Sequence, residues 1–462
     1  VKGRRRPLWA GGFASRPGEA LAAISLSHPF DRRLAIEDLA GTRAHARGLH
    51  RARLLSKADL GRIEKALVRI EKEIAAGRFR FRDLDEDVHL NIERRLIELA
   101  GEAGRRIHAG RSRNDQVALD LRLWTLSAIG RAQVGISRLA HALLARAEEF
   151  LAARVVVAAR THLRSAQPVL LAHVFHAYAE MLVRDLARFA DARSRTAVSP
   201  LGSGACAGTT LPLDREGMAR ELNLPAITAN SLDAVSDRDF AAEFEFAAAL
   251  AMAHLSRLSE DLILWTGEEY RLFHLSEAST TGSSMMPQKK NPDSLELARG
   301  KAGRVFGDLL NTLTVVKGLP LSYDRDLQET QEPLFDASDS LDLGLAALTE
   351  VVAGLMLRPE GERPPIEAGA LATDIAEELV RRGAAFRSAH ETVARWTMLA
   401  ASRHADLRDI AAAQSPKLKA FLSRLTPASS VARRDLPGGT APRRVKAAIA
   451  RTRRAIEGPF RI

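Results

Sequence analysis

The stretch "FAAEFEFAAALAMAHLSRLSEDL" runs from Phe240 to Leu262. Its apolar positions Phe240, Phe244, Ala248, Ala251, Leu255, Leu258 and Leu262 recur at spacings of three and four. That rhythm lines them up on one face of an amphipathic helix. The alanines between them favour helix and close packing. Working outward, Leu171, Phe175, Tyr178, Leu182, Leu186 and Phe189 repeat the rhythm, as do Val117, Leu121, Trp124 and the run to Leu151. Alternating strand patterns are nearly absent, and "RVVVAAR" (Arg154–Arg160) is the best short β-like run. The sequence therefore predicts an all-α chain. Helices of about 30 residues would span about 45 Å. Stripes that long are expected to exceed what one chain covers and to be buried against further copies.

Polar, glycine-bearing stretches interrupt the helical pattern: "GEAGRRIHAGRSRND" (Gly101–Asp115), "SPLGSGACAGT" (Ser199–Thr209), "STTGSSMMPQKKNPDSLE" (Ser279–Glu296) and "LRPEGERPPIEAG" (Leu357–Gly369). They suggest an N-terminal helical lobe over residues 1–110, a central long-helix body over 111–358 and a C-terminal helical lobe over 359–462, with no internal repeat. Hydrophobic residues make up 46% of the 462, enough for a large core. No window approaches the roughly 18 unbroken apolar residues of a membrane span, so no membrane partner is expected. The opening "VKGRRRPLWAGGF" lacks the apolar segment of a secretory signal. Cys206 is the sole cysteine, which leaves no intrachain disulfide and no multi-cysteine metal site, and points to a reducing cytoplasm. The formal net charge of +11 raises nucleic acid as a partner. The arginines are interleaved with acids, however, and cluster only in "KGRRR" and "PRRVKAAIARTRR". A small anionic substrate is the better fit to such a surface, and no nucleic-acid partner is expected.

The breaks carry the polar chemistry, as loops on a rigid scaffold do. "RSRNDQ" (Arg111–Gln116) reads equally as a capped helix start or as a set of donors for a carboxylate. His162 in "THLRSAQP" (Thr161–Pro168) is, alone, more often a structural histidine. The serine loop says more. Gly282 permits unusual dihedrals, Ser283 and Ser284 follow, and Lys289 and Asn291 stand at fixed spacing. A serine beside a lysine serves as a nucleophile or, when ionised, as a base.

"GSSMMPQKKNPD" (Gly282–Asp293) resembles the GSSxMPxKxN signature of the fumarase/aspartase superfamily. "GRSRNDQVALDLRLW", "THLRSAQP", "SPLGSGACAGT", "NSLDAVSDRD" and "GGTAP" resemble the argininosuccinate lyase family within it, in the right order and over nearly the whole chain. The resemblance implies an all-α, three-domain chain, with the central long helices of four subunits packed into one tetrameric core and active sites shared between subunits. It implies a carbon–nitrogen lyase that eliminates fumarate from argininosuccinate to give arginine, with no cofactor and no metal. Ser283 matches the general base. Lys289 and Asn291 match the residues that hold the succinyl carboxylates. Ser112, Arg113, Asn114 and Thr161 match further donors. His162, with Glu296 as its charge partner, matches the group acting on the leaving nitrogen. Ser27, Asp31, Tyr323 and Gln328 match contacts to the leaving group.

The leaving-group end departs from the family pattern. "YDRDLQETQE" (Tyr323–Glu332) has Thr330 and Gln331, with Gln331 where a lysine is expected to meet the departing carboxylate. Ala109, Arg164, the neighbours His28 and Pro29, and "WAGGF" also differ. The alternative reading is a sister lyase acting on another N-substituted aspartate of the ethylenediamine-disuccinate kind. A remoter one is a non-catalytic, crystallin-like relative, against which the intact Ser283, Lys289, Asn291 and His162 argue.

Overall fold

The computed structural model describes residues 18–458. The stretches "KGRRR" and "WAGGF" lie outside them. Five helices dominate: Arg113–Ala152 with 40 residues, Leu171–Thr196 with 26, Asp239–Thr266 with 28, and Asp293–Val316 and Gln331–Gly354 with 24 each. The longest is about 60 Å from end to end. The all-α expectation holds. Its one sizeable exception is an antiparallel hairpin, Val156–Thr161 with Arg164–Leu170, which grows from the β-like run at Arg154–Arg160.

The stripes behave differently from expectation in one respect. Phe240, Phe244, Ala248, Ala251, Leu255, Leu258 and Leu262 are each at most 2% exposed within the single chain, and Leu171 through Phe189 are buried too. They need no second copy to cover them. Apolar residues are left uncovered elsewhere, among them a run on one helix: Leu297, Phe306, Leu310 and Leu313 of Asp293–Val316.

The chain divides into two compact units interleaved in sequence. The first comprises Val1–Ala132, Arg188–Ala249 and Gly303–Leu341. Its helices Ala35–Arg51, Lys57–Ala75 and Val88–Ala100 bury Leu39, Leu49, Ile63, Leu67, Ile70, Ile92 and Leu96. Their starts follow local chemistry, since Ser56 and Asp87 each accept a backbone N–H from three residues on, at 3.0 and 2.6 Å. Trp124 meets Phe335 edge-on at 4.6 Å, with the Arg33 guanidinium over both rings.

The second unit comprises Gln133–Ala187, Leu250–Ala302 and Asp342–Ile462. Phe150, Phe175 and Phe273 pack on one another at 5.0–5.9 Å. Toward the C-terminus, Leu371, Ile375, Val393, Leu407, Leu418, Leu422 and Leu425 form a core of their own. The "GGTAP" motif ties the hairpin down. Thr440 Oγ1 accepts the N–H of Leu170 at 2.8 Å. Gly439 is required there, because a Cβ would sit 2.2 Å from the carbonyl oxygen of Arg434. No described helix is long and apolar enough to cross a membrane.

One buried acid in the first unit gives a stability prediction. Glu245 is fully buried and accepts Thr312 Oγ1 at 2.9 Å, and its second oxygen has no partner among the described residues. Burial pushes its carboxyl from 4.5 up to about 9, with Asp308 adding to the rise and Thr312 opposing it. The folded value lies above the unfolded one, so the folded state binds the extra proton. Stability is then lost as pH rises from about 4.5 toward 9, by at most about 1.4 kcal/mol per pH unit. Glu245→Gln keeps an acceptor for Thr312 and removes the titration. In thermal melts its advantage over wild type should grow from pH 6 to pH 8.5. A pH-independent difference would acquit Glu245.

Candidate active site

In the second unit, Thr281–Gly282 pairs antiparallel with Lys290–Asn291, so a two-rung ladder clasps the serine loop at its base. Thr281 Oγ1 also donates to Asp293. Within the loop, the N–H groups of Met286 and Met285 point at Ser283 Oγ from 3.1 and 3.4 Å. Two amide dipoles therefore converge on the oxygen that would have to carry negative charge as a base. Gly282 does not use its conformational freedom. It has no positive φ, and a Cβ there would meet open space. The two lysines divide their work. Lys290 pairs with Glu277 at 2.8 Å, whereas the exposed Lys289 ammonium pairs with no described residue. Asn291 is half-buried beside it, and Glu296 is exposed in the first turn of Asp293–Val316.

Thr161 and His162 occupy the tip of the hairpin. Thr161 pairs with Arg164, leaving His162 and Leu163 as a two-residue turn with φ of 54° and 58°. Two consecutive non-glycine residues in the left-handed region mark a mirror-type hairpin turn, which Asn-Gly usually fills. Strain of this kind gathers at functional sites. Arg160 braces the tip, stacking over Tyr270 at 4.1 Å. His162 is exposed, and among the described residues no hydrogen bond or ion pair joins it to Ser283, Lys289 or Glu296. The expected His162–Glu296 pair does not form within one chain.

The first unit holds the other set. Asp115, fully buried, organises it. Its Oδ1 accepts the N–H of Ser112 at 2.9 Å, and its Oδ2 accepts those of Gly202 and Gly204 at 3.0 and 2.9 Å. Both glycines have positive φ, which lets two amides turn toward one carboxylate oxygen. Asn114 Nδ2 donates to the carbonyl of Ala205 at 3.1 Å. The "RSRND" and "SPLGSGACAGT" motifs are thus one structural piece, with Asp115 as its centre. Arg113 reaches Glu93 at 3.3 Å and Asp87 at 3.5 Å, so its charge is balanced inside the protein. Ser27 and Asp31 are buried and spent on each other. Ser27 Oγ donates to Asp31 at 2.6 Å, and Asp31 also accepts the N–H of Val88 at 3.0 Å. Burial pushes the Asp31 carboxyl up to about 6, against the nearby His89 charge and its own hydrogen bonds.

Tyr323 is half-buried, and Gln328 lies in the Arg325–Thr330 turn that leads into the helix Gln331–Gly354. Thr330 Oγ1 is used locally, on the carbonyl of Leu327 at 2.8 Å. Gln331 is 5% exposed, and its Oε1 has no hydrogen-bond partner among the described residues.

Residues 14–307 match the family described as "Lyase", and residues 369–432 match the "Argininosuccinate lyase C-terminal" family. The chain is 47% identical to argininosuccinate lyase of Frankia casuarinae over 456 residues, covering 97% of this chain and 98% of that protein. It is equally identical to argininosuccinate lyase of a Roseiflexus species over 461 residues, 97% of this chain and 100% of the other. The chain belongs to the argininosuccinate lyase family. Among solved structures, an EDDS lyase in complex with formate superposes with a TM-score of 0.81 at 27% identity, covering 94% of this chain and 88% of that one. A Pseudomonas putida 3-carboxy-cis,cis-muconate lactonizing enzyme superposes at 0.73 with 21% identity, over 95% of this chain and 100% of that one, which speaks to fold alone.

As an argininosuccinate lyase family member, the chain is a carbon–nitrogen lyase. Its tertiary structure adds a residue that its sequence left unmarked. Arg238 is 2% exposed, donates to the carbonyl of its neighbour Asp237 at 2.7 Å, and its Nε has no partner among the described residues. Burial pulls it down to about 10, against the attraction of Tyr323 and Asp237. A cation so poorly compensated, facing Tyr323, is what an anionic substrate would seek. In the sequence, Arg238 stands between two aspartates in "SDRD" and reads as one more solvated charge. Asp115 stood in a stretch that read equally as a capped helix start, and nothing local marked it as the centre of the site.

Proposed function

We propose that the chain cleaves argininosuccinate to arginine and fumarate, with Ser283 as the base that removes the proton from the carbon next to the succinyl carboxylate. That carbon acid is very weak, so the site must supply both a base and donors for the dianionic aci-carboxylate. The observation that carries the assignment of the base is the convergence of the Met285 and Met286 N–H groups on Ser283 Oγ. Lys289, on the same loop and paired with no described residue, and Asn291 hold the succinyl carboxylates. Ser112, Asn114 and Thr161 add donors, and Arg113 fixes the loop that presents two of them. His162 delivers a proton to the departing nitrogen, and Glu296 of another copy steadies it. Tyr323, Gln328 and Gln331 face the leaving amine, and Arg238 supplies cationic charge there. Ser27 and Asp31 support this end from beneath.

The small substrate and oligomeric assembly of the family suit the molecule. A homotetramer accounts for the exposed stripe Leu297, Phe306, Leu310 and Leu313, and for the distance in sequence between the site's two sets. A three-part chain, 1–110, 111–358 and 359–462, is supported by the self-contained core from Leu371 to Leu425. The sister-lyase alternative is not favoured, since identity is 47% to named argininosuccinate lyases and 27% to the EDDS lyase.

The test is fumarate release, read by ultraviolet absorbance, with argininosuccinate beside a panel of other N-substituted aspartates. Argininosuccinate should be the preferred substrate, and its failure to react would sink the reading. Gln331→Lys should lower the KM for argininosuccinate with little change in kcat, about tenfold for each 1.4 kcal/mol the added charge contributes. An unchanged KM would mean that Arg238 already meets the need for charge.

A further inference from the structure

Behind the "RSRND" loop lies a fully buried cluster that the mechanism does not use: Asp38, His89 and Asp120. They come from three helices of the first unit, Ala35–Arg51, Val88–Ala100 and Arg113–Ala152. His89 Nδ1 stands 3.2 Å from Asp120 Oδ2 and 3.5 Å from Asp38 Oδ1. Gly41 makes room for the arrangement, since a Cβ there would meet Leu119 at 2.9 Å and Asp120 at 3.3 Å. Isolated buried carboxylates are costly, and two together repel. Either one of them takes up a proton, toward which burial pushes Asp120, or a positive group lies between them.

The cluster is wired to the substrate loop. Asp38 accepts from Gln116 Nε2, and Gln116 Oε1 accepts from Arg113. Arg113 sits between Ser112 and Asn114, the two proposed carboxylate donors. Asp38 also accepts Thr42 Oγ1 at 3.5 Å, which in turn accepts Arg111 Nη1 at 2.9 Å. Asp120 is one turn beyond Gln116 on the same helix. The charged groups facing His89 are therefore Asp38, Asp120, Asp87 and Asp31, and Arg111 and Arg113 face the carboxylates from the loop side.

We propose that His89 is a permanently protonated positioning residue, whose imidazolium locks Asp38 and Asp120 together and so holds the Ser112–Asn114 donors in register for the succinyl carboxylate. The proposal rests on the reading of those donors given above. Two forces oppose the cation. Burial disfavours it, and it stands in the first turn of a helix, where the macrodipole favours anions. Two carboxylates within 3.5 Å outweigh both, and push the imidazole up to about 10. The cation is thus expected to persist throughout the neutral range.

The experiment has an arm that does not depend on turnover. With histidine labelled at the imidazole ring, the full chain should show one resonance with imidazolium shifts that do not move between pH 6 and 8.5. It should vanish in His89→Gln. A His89 signal that is neutral, or that titrates normally, overturns the proposal even if the enzyme is active. If argininosuccinate is not cleaved at all, the functional reading fails and this arm still decides the charge. In kinetics, His89→Gln should lower kcat/KM about 100-fold, with a raised KM for argininosuccinate. The charge-balanced double variant, His89→Gln with Asp120→Asn, should recover at least tenfold of that loss. Equal damage in the single and double variants would overturn a charge role. If His89→Gln does not fold, Asp120→Asn alone serves: it should lower the imidazole's apparent pKa, and an unmoved value overturns the proposal. Elemental analysis completes the test. A stoichiometric divalent ion that survives chelation and is lost from His89→Gln would mean that a metal, not an imidazolium, balances the carboxylates.

Discussion

Ser283→Ala should abolish nearly all turnover while leaving substrate binding largely intact. General bases contribute about 10²- to 10⁴-fold, and the weakness of this carbon acid places the loss toward the upper end. The substitution removes an oxygen that matters only when the proton moves, so kcat should fall far more than KM rises. The backbone supports the expectation. The Met285 and Met286 amides stay where they are when the hydroxyl goes, because the Thr281–Asn291 and Gly282–Lys290 ladder sets the loop. Direct titration with argininosuccinate and a fumarate assay separate the two effects. Turnover like wild type would remove Ser283 from the mechanism. Weak binding with normal kcat would make it a binding residue.

His162→Asn should cost about 10²- to 10⁴-fold in kcat with the hairpin preserved. Asparagine suits the test because it tolerates positive φ better than most residues, and His162 sits at 54°. The variant removes the proposed proton donor and should leave the turn undisturbed. His162 does not meet Ser283 or Glu296 within one chain, and the proposed site would therefore be shared between copies. Inactive Ser283→Ala and inactive His162→Asn proteins, dissociated together and reassembled, should therefore regain part of wild-type activity, through sites that receive one intact residue from each parent. Hybrids that stay inactive, with reassembly verified by sedimentation, would place both residues in the same chain's contribution. A fully active monomer would overturn the shared site altogether.

The sequence by itself determined the helices and the family. Apolar residues three and four apart need only a helix to become a stripe, and the stripe from Phe240 to Leu262 is buried along its length. The motif around Ser283 is continuous in the chain, so its serine, lysine and asparagine arrive together without help from distant residues. Only the first strand of the hairpin was visible, as the short run Arg154–Arg160; its partner Arg164–Leu170 read as a polar loop, because a strand's pairing depends on residues the local pattern does not show. Tertiary structure decided matters that depend on residues far apart. Which stripe remains uncovered could not be read from periodicity, since a covered and an uncovered stripe look alike until neighbours are placed. Phe306, Leu310 and Leu313 are exposed where Leu255, Leu258 and Leu262 are not. Ser27 and Asp31 turned inward because the N–H of Val88, 57 residues on, supplies Asp31 with a second partner. Arg238 gained its meaning from Tyr323, and Asp115 from Gly202 and Gly204. His89 has a carboxylate on either side only because three helices bring Asp38, His89 and Asp120 together. A charge's role is set by the dielectric and the counter-charges around it, and those are assembled by packing rather than written in neighbouring letters.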